Sequence, residues 1–313
     1  MTLKVGVIGV GALGQHHARV YAELPEAELV GVVDRDPERA AAIAARHGCR
    51  VFAGVEALAA EVDAVSVAVP TVDHLAVART LLEAGRHVLV EKPIASTLEE
   101  ADELIALAAG RDLRLQVGHV ERFNPALQAL RGAVAQPRFI EVHRLGAFSP
   151  RSLDIDVVLD LMIHDLDIVL DLDGSEPVQV DAVGVPVLTP RVDIANARLR
   201  FASGLIANLT ASRVSVDRVR KFRVFAPRTY VSVDLAAREA RVFRLLGGDA
   251  QDPQIDMQDF PASPEEPLRL QLASFVAAVG SGRRPVVSGE DGRRALALAR
   301  TILERMSDTN SPL

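Results

Sequence analysis

The apolar positions of this chain fall into two regimes. Up to Val117, short continuous runs (Val5 to Ile8, Leu29 to Val33, Ala64 to Val69, His87 to Val90, Leu113 to Val117) alternate with stretches at helical spacing, among them Pro37 to His47, Thr71 to Ala84 and Thr97 to Ala109. A short run without alternation suits a strand buried on both faces, and strands separated by helices join through right-handed crossovers into a parallel sheet. The punctuation agrees: a proline opens Pro37 to His47 and Gly48 follows its end, while Thr97 and Glu100 have capping-box spacing. From Val178 to Leu246 the pattern becomes VQVDAVGVPVL, NARLRFASG, LIANLTASR, KFRVFAP, TYVSVD and ARVFRLL, broken by Gly, Pro and Asn. Consecutive strands without helices predict an antiparallel sheet with one packed and one open face. Pro253 to Pro267, with four prolines, reads as turn-rich. A helix over Leu268 to Val279 stops at Gly280, and Ser288 to Met306 forms a last amphipathic helix.

The first run leads into Gly9-Val10-Gly11-Ala12-Leu13-Gly14 and then a helix-forming stretch. Strand, glycine turn and helix in that order make the context of a dinucleotide site: the first glycine for the tight turn, the second for close approach of the pyrophosphate, the third for helix–strand packing. The phosphates would sit at the positive end of the helix dipole. Asp34 closes the second run at about the 20-residue offset where a carboxylate meets the adenosine ribose, which favours NAD. Arg35 beside it can pair with a 2'-phosphate, so NADP stays open. The alternative for the whole motif is a plain tight turn. The expected class is α/β, with a Rossmann doubly wound parallel sheet over residues 1–122 binding NAD(P).

Composition narrows the rest. The chain has 313 residues, 49% hydrophobic and 25% charged, enough for two domains and a sizeable core. Its net charge of -7 offers no global attraction to nucleic acid or anionic membrane. No run reaches the roughly 18 apolar residues of a membrane span. The single cysteine, Cys49, cannot form an internal disulfide, which points to a reducing, cytoplasmic compartment.

In parallel sheets ligands bind at the carboxyl ends of the strands. The residues there are Gly9 to Gly14, Asp34, Pro70, Thr71 and His74, then Glu91, Lys92 and Pro93, then Gly118 and His119. Lys92, between an acid and a proline, can place an ammonium beside a nicotinamide; the bland alternative is a solvated strand-end lysine. The glycine turn, VAVPTVDH (Val67 to His74), HVLVEKP (His87 to Pro93) and a later Asp-x-x-x-His together resemble the Gfo/Idh/MocA oxidoreductases over nearly the whole chain. The resemblance implies a second domain, residues 123–313, of α+β type with a large open, mostly antiparallel sheet that binds substrate and mediates oligomerisation. It also implies that Glu91 and Lys92 lie near the nicotinamide ribose and the reacting carbon, and that Arg122 and Asn124 face the cleft. Their structural alternatives are a hinge ion pair and an N-cap.

The second chemical cluster is Asp160, His164 and Asp167, spaced to share one helical face. A carboxylate one turn from an imidazole can hold its tautomer and raise its basicity, as a hydroxyl-oxidising base requires. The alternatives are a solvated polar stripe and a metal site; hydride chemistry on an organic cofactor needs no metal, and none is expected. The family pattern here is Asp-x-Gly-x-His-x-x-Asp, with Met162 in place of the glycine. Further along, Arg213, Arg218, Arg220, Lys221, Arg223 and Arg228 give a positive bias. They read as solvated strand faces or, more sharply, as contacts to a substrate diphosphate.

The resemblance therefore implies an NAD-dependent dehydrogenase of a sugar hydroxyl. GHVERFNP (Gly118 to Pro125) and DLMIHDLD (Asp160 to Asp167) are most like enzymes that oxidise the 3-hydroxyl of UDP-N-acetylglucosamine or its uronate, making a 3-keto sugar for lipid A or surface polysaccharide. Catalysis would fall to Lys92, Asp160 and His164, and substrate binding to Asp160 and His164 with His119, Arg122 and Asn124. The rivals are a dehydrogenase of inositol or a free sugar, and a non-catalytic nucleotide sensor. An open sheet face predicts a homodimer or homotetramer.

Overall fold

The computed structural model describes residues 2–149, 155–248 and 252–309. By internal contacts the chain divides into Met1–Val120 with Glu266–Arg293, and Glu121–Glu265 with Arg294–Leu313. In the first unit β1 (Leu3–Ile8), α1 (Gly14–Glu23), β2 (Ala27–Val33), α2 (Pro37–His47), β3 (Arg50–Val51), α3 (Val55–Ala59), β4 (Ala64–Val67), α4 (His74–Glu83), β5 (His87–Glu91), α5 (Leu98–Gly110) and β6 (Leu115–Gly118) alternate; all but the short β3 and α3 lie on the predicted runs. The strands form one parallel sheet in the order β3-β2-β1-β4-β5-β6. Reversal of direction between β1 and β4 opens the crevice above their carboxyl ends. The local signals hold: Asp36 caps α2 and Gly48 ends it at φ 68°, and Thr97 and Glu100 make a reciprocal capping box on α5.

The second unit contains α6 (Gln128–Ala133), β7 (Phe139–Leu145), a π-helical turn over Val158–Met162, α7 (Ile163–Asp173) and seven further strands. These are β8 (Pro177–Val185), β9 (Ile194–Phe201), β10 (Ile206–Ser212), β11 (Val219–Ala226), β12 (Thr229–Asp234), β13 (Glu239–Gly248) and β14 (Pro253–Phe260). They join β7 in an eight-stranded sheet, β14-β13-β12-β11-β7-β10-β9-β8, antiparallel except for the β7–β10 pair. Alternate residues such as Ile140, Val142, Leu199, Leu209, Phe222 and Val231 are buried under α7 side chains Leu166 and Val169 in one core. The other face carries a ladder of rings, Phe139, Phe225, Tyr230 and Phe243, with centroids 5.7, 4.8 and 5.5 Å apart.

β14, β7 and α8 also depart from the sequence expectation. β14 occupies the start of the stretch read as turn-rich. β7 lies where no strand was assigned. The helix expected to stop at Gly280 is α8 (Pro267–Ser281), which runs past it to Gly282, the residue at φ 68°. α8 returns to the first unit, where Leu272, Phe275 and Val276 pack with Tyr21 and Val20 of α1. The division between units then falls within α9 (Gly289–Thr309).

Candidate active site

The glycine turn has the form a dinucleotide requires. Gly9 takes φ +83°, and a Cβ there would stand 2.7 Å from the Ala68 carbonyl oxygen. A Cβ on Gly14 would lie 1.8 Å from the Gly9 oxygen, so the third glycine is what lets α1 close on β1. Gly11 differs: a Cβ would meet nothing nearer than the Arg39 guanidinium at 3.8 Å, so the space beside it is open. α1 begins at Leu13 without a side-chain cap, and Ala12 and Leu13 are exposed. Uncapped amides at a helix start beside open space suit an anionic ligand.

Asp34 is largely buried and ties the turn to β2: Val10 N–H donates to its Oδ2 (2.8 Å), and Asp36 N–H and Arg39 to its Oδ1 (2.9 and 3.3 Å). Arg35 is turned outward and pairs with Asp73 at 2.9 Å. These residues fit a dinucleotide: Gly11 to Gly14 could take its pyrophosphate and Asp34 its adenosine end.

At the neighbouring strand ends, Pro70 and Thr71 open a short 3-10 turn before α4. His74 is buried with both ring nitrogens on backbone carbonyls, Nδ1 at 2.9 Å from Pro93 O and Nε2 at 3.0 Å from Val69 O. Burial lowers its pKa against the opposing pull of those carbonyls. Its imidazole thus braces two strand ends rather than facing open space. Glu91 and Lys92 close β5, joined to Pro93 by a cis peptide bond. The Glu91 carboxylate accepts from Lys92 N–H (3.3 Å), lies 3.1 Å from His17 Nε2, and fills the space left by Gly118, where a Cβ would fall 2.5 Å from Glu91 Oε1. His17, on α1, is 1% exposed and carries no motif in the sequence. Lys92 is half-buried, and His119, just past β6, is fully buried.

In the second unit the acids of the Asp156 to Asp167 stretch part company. The π turn widens the helix at Asp160, and Asp160 and His164 remain half-buried. Asp167 is 2% exposed and lies 3.1 Å from Arg122, which also pairs with Asp171. Asp165, which the spacing argument passed over, is 1% exposed and bound bidentately by Arg144 (2.7 and 2.8 Å), whose third bond goes to Glu121 (2.9 Å). Burial would lower the Arg144 pKa, but the two carboxylates more than reverse that and hold it charged. Asn124 gives both amide hydrogens to Glu121 and Leu235 O and accepts from Ala126 N–H. Arg122 and Asn124 accordingly have the internal bonds of their structural alternatives. Met162, in the place of the family glycine, is fully buried in the core, so its bulk goes into packing.

The first unit is built to hold a dinucleotide, and the second offers a carboxylate and an imidazole on one partly open turn. Residues 3–119 match the oxidoreductase family with NAD-binding Rossmann fold, and residues 127–231 match the GFO/IDH/MocA C-terminal domain. The chain belongs to the Gfo/Idh/MocA family, NAD-dependent dehydrogenases acting on CH–OH groups. It is 44% identical over 299 residues to the UDP-N-acetylglucosamine 3-dehydrogenase of Acidithiobacillus ferrooxidans, with 95% of each chain covered. A solved structure of that enzyme superposes with a TM-score of 0.93 over 98% of both chains, at 42% identity. The inositol 2-dehydrogenase of Rhizobium meliloti is 29% identical over 326 residues, 98% of each chain. Among the described residues no helix is long and apolar enough to cross a membrane.

Proposed function

We propose that this protein oxidises the 3-hydroxyl of UDP-N-acetylglucosamine or a closely related UDP-sugar with NAD. The observation that carries the reading is the contrast within one stretch of chain. Asp165 and Asp167 are buried in ion pairs, whereas Asp160 and His164, the pair with acid–base chemistry, stay partly open. The 44% identical relative supplies the substrate class.

In this reading His164 takes the hydroxyl proton and Asp160 holds its ring. Lys92, just past β5, is the group suited to donate a hydrogen bond to a substrate oxygen and stabilise developing negative charge. His164 and Lys92 can exchange these roles. The nicotinamide, when bound, accepts the hydride. Glu91 fixes the Lys92 backbone, and Gly9 to Gly14 with Asp34 hold the pyrophosphate and adenosine ribose. The strand-end residues Pro70 and Thr71 face the approach to β4, while His119 past β6 and His74 lie buried behind them. Arg35, paired with Asp73, leaves the ribose end to Asp34 and so to NAD.

The aromatic ladder on the open face of the second sheet, half-buried except for exposed Phe225, supports burial against a second copy, in a homodimer or homotetramer. A single, half-buried cysteine suits a cytoplasmic setting.

The test is NADH formation against UDP-N-acetylglucosamine, its uronate, free N-acetylglucosamine and inositol, with the product identified by mass. His164→Ala and Lys92→Met should each lower turnover about 10²-fold or more. Near-normal turnover in both variants, or oxidation of inositol in preference to the UDP-sugars, overturns the reading.

A further inference from the structure

A cavity of about 290 Å³ in the second unit includes Asp160 in its wall and is otherwise rich in arginine: Arg144, Arg213, Arg218 and Arg220 all line it. Its walls come from the end of β7, the π turn, the loop between β10 and β11, and the start of β11. That loop is tied down, because Gly146 N–H donates to Ser212 O (2.9 Å) and Ser215 N–H donates to Gly146 O (3.0 Å).

The four guanidinium groups are not equivalent. Arg144 is matched by Asp165 and Glu121. Arg213 is 6% exposed, bonds to Asp193 (2.8 Å), the Ile155 carbonyl (2.8 Å) and Thr189 (3.1 Å), and belongs to the framework. Burial would raise the Asp193 pKa, but hydrogen bonds from Thr189, Arg213 and Val187 lower it, so this pair stays ionised. Arg218 is exposed and has no carboxylate or hydrogen-bond partner among the described residues. Arg220 has its nearest carboxylate, Glu121, at 3.7 Å, and that carboxylate already serves Arg144. Burial, and next the like charge of Arg144, lower the Arg220 pKa. A bound anion would relieve both effects.

The other basic residues of this region are engaged elsewhere. Lys221 pairs with Asp234 at 2.8 Å, Arg223 with Glu141 at 2.7 Å, and Arg228 donates to the Leu245 and Leu246 carbonyls. Arg218, with no carboxylate partner among the described residues, and Arg220, with only a distant and shared one, therefore line a cavity with one candidate catalytic carboxylate.

We propose that Arg218 and Arg220 form the subsite for the diphosphate of the substrate, with the sugar toward Asp160 in the same cavity. The assignment rests on the dehydrogenase reading above and deepens it. Guanidinium forks match phosphate oxygens bidentately, and two of them match the double charge of a nucleotide-sugar diphosphate. A volume near the lower end of small-molecule pockets, about 300 Å³, holds a diphosphate with part of the sugar and leaves the nucleoside outside.

The experiment is calorimetric titration of the NAD-loaded protein with UDP, UMP and inorganic pyrophosphate, for wild type, Arg218→Ala, Arg220→Ala and the double variant. Wild type should bind UDP and pyrophosphate and bind UMP more weakly. Each single variant should weaken UDP about 10-fold and the double variant about 100-fold. Thermal midpoints should be unchanged, since neither side chain makes a short ion pair. With UDP-N-acetylglucosamine, KM should rise in step while kcat changes less than about 3-fold, the signature of lost uniform binding.

UDP affinity unaltered in the double variant, or no binding of UDP and pyrophosphate by wild type, overturns the assignment. So does a loss confined to the uronate substrate, which would make the arginines readers of a sugar carboxylate. Weakened UDP binding in the variants, with no NADH formed by wild type from any UDP-sugar, would leave the subsite standing and remove the oxidation reading instead.

Discussion

Replacing Asp165 by alanine should unfold the second unit more readily while leaving the neighbouring polar residues in place. Arg144 is 4% exposed, and Asp165 supplies two of its three charge-assisted bonds, at 2.7 and 2.8 Å. The survivor, Glu121, also faces Arg220 at 3.7 Å and takes an amide hydrogen of Asn124 at 3.1 Å, so it cannot neutralise Arg144 alone. Removing one partner of a buried pair strands the other charge and costs about 3–5 kcal/mol. That is a large share of a typical total of about 5–15 kcal/mol.

For a domain of about 150–250 residues the same loss lowers the thermal midpoint by about 6–20 °C. Differential scanning calorimetry with NAD present and absent follows the transition. Asp160→Asn provides the contrast: at a half-buried position it should shift the midpoint by less than about 2 °C yet abolish most turnover. The double change Asp165→Leu with Arg144→Met removes both charges and should recover part of the loss. A midpoint for Asp165→Ala within about 2 °C of wild type would refute the reasoning, because a stranded guanidinium cannot be that cheap unless water reaches it.

The glycine turn predicts opposite outcomes for two similar changes. Gly14→Ala should destabilise the first unit, since its Cβ would meet the Gly9 oxygen at 1.8 Å, whereas Gly11→Val should melt normally and weaken NADH binding at least about 10-fold by fluorescence titration. His17→Ala should cut kcat several-fold by releasing Glu91 from its 3.1 Å contact, with NADH affinity little changed and partial rescue by His17→Gln; equal loss in both variants would deny the positioning role. Acid should destabilise through His74. Burial keeps its folded pKa below the ordinary 6.5, so the unfolded chain takes up the proton first, and stability is full above about pH 6.5 and declines below it. His74→Gln should flatten that slope between about pH 7 and 5 in urea titrations, and an unchanged slope would assign it elsewhere.

Much of the first unit was legible because its signals are local. A glycine turn, a proline at N1 and a capping box are decided within a few residues, and strands buried on both faces announce themselves as unbroken apolar runs. The expected parallel sheet and the mostly antiparallel second sheet are both found. β14 was hidden because nearly all of its residues are exposed, and backbone pairing and surface ion pairs to β13 hold it, so it has almost no inward pattern to read. β7 was hidden because its inward residues are Ile140, Val142 and Arg144, and a buried arginine looks polar until its carboxylates are known. Gly280 and Gly282 offer the same stop signal, and only packing decides which ends α8. In the candidate site, spacing grouped Asp160, His164 and Asp167. The separation of Asp160 and His164 from the buried acids depends on Arg122 and Arg144, distant in sequence. Asp165 and His17, both on helices, carried no motif of their own.

The return of α8 to the first unit sets the order in which that unit can be finished during synthesis. Leu272, Phe275 and Val276 cover Tyr21 and Val20, which a ribosome has made some 250 residues earlier. Until the last part of the chain emerges, that apolar flank of the nucleotide-binding unit stays wet, a natural target for a holdase. A fragment ending before Pro267 would keep it so, and should be recovered from cells as aggregate rather than as a dinucleotide-binding protein.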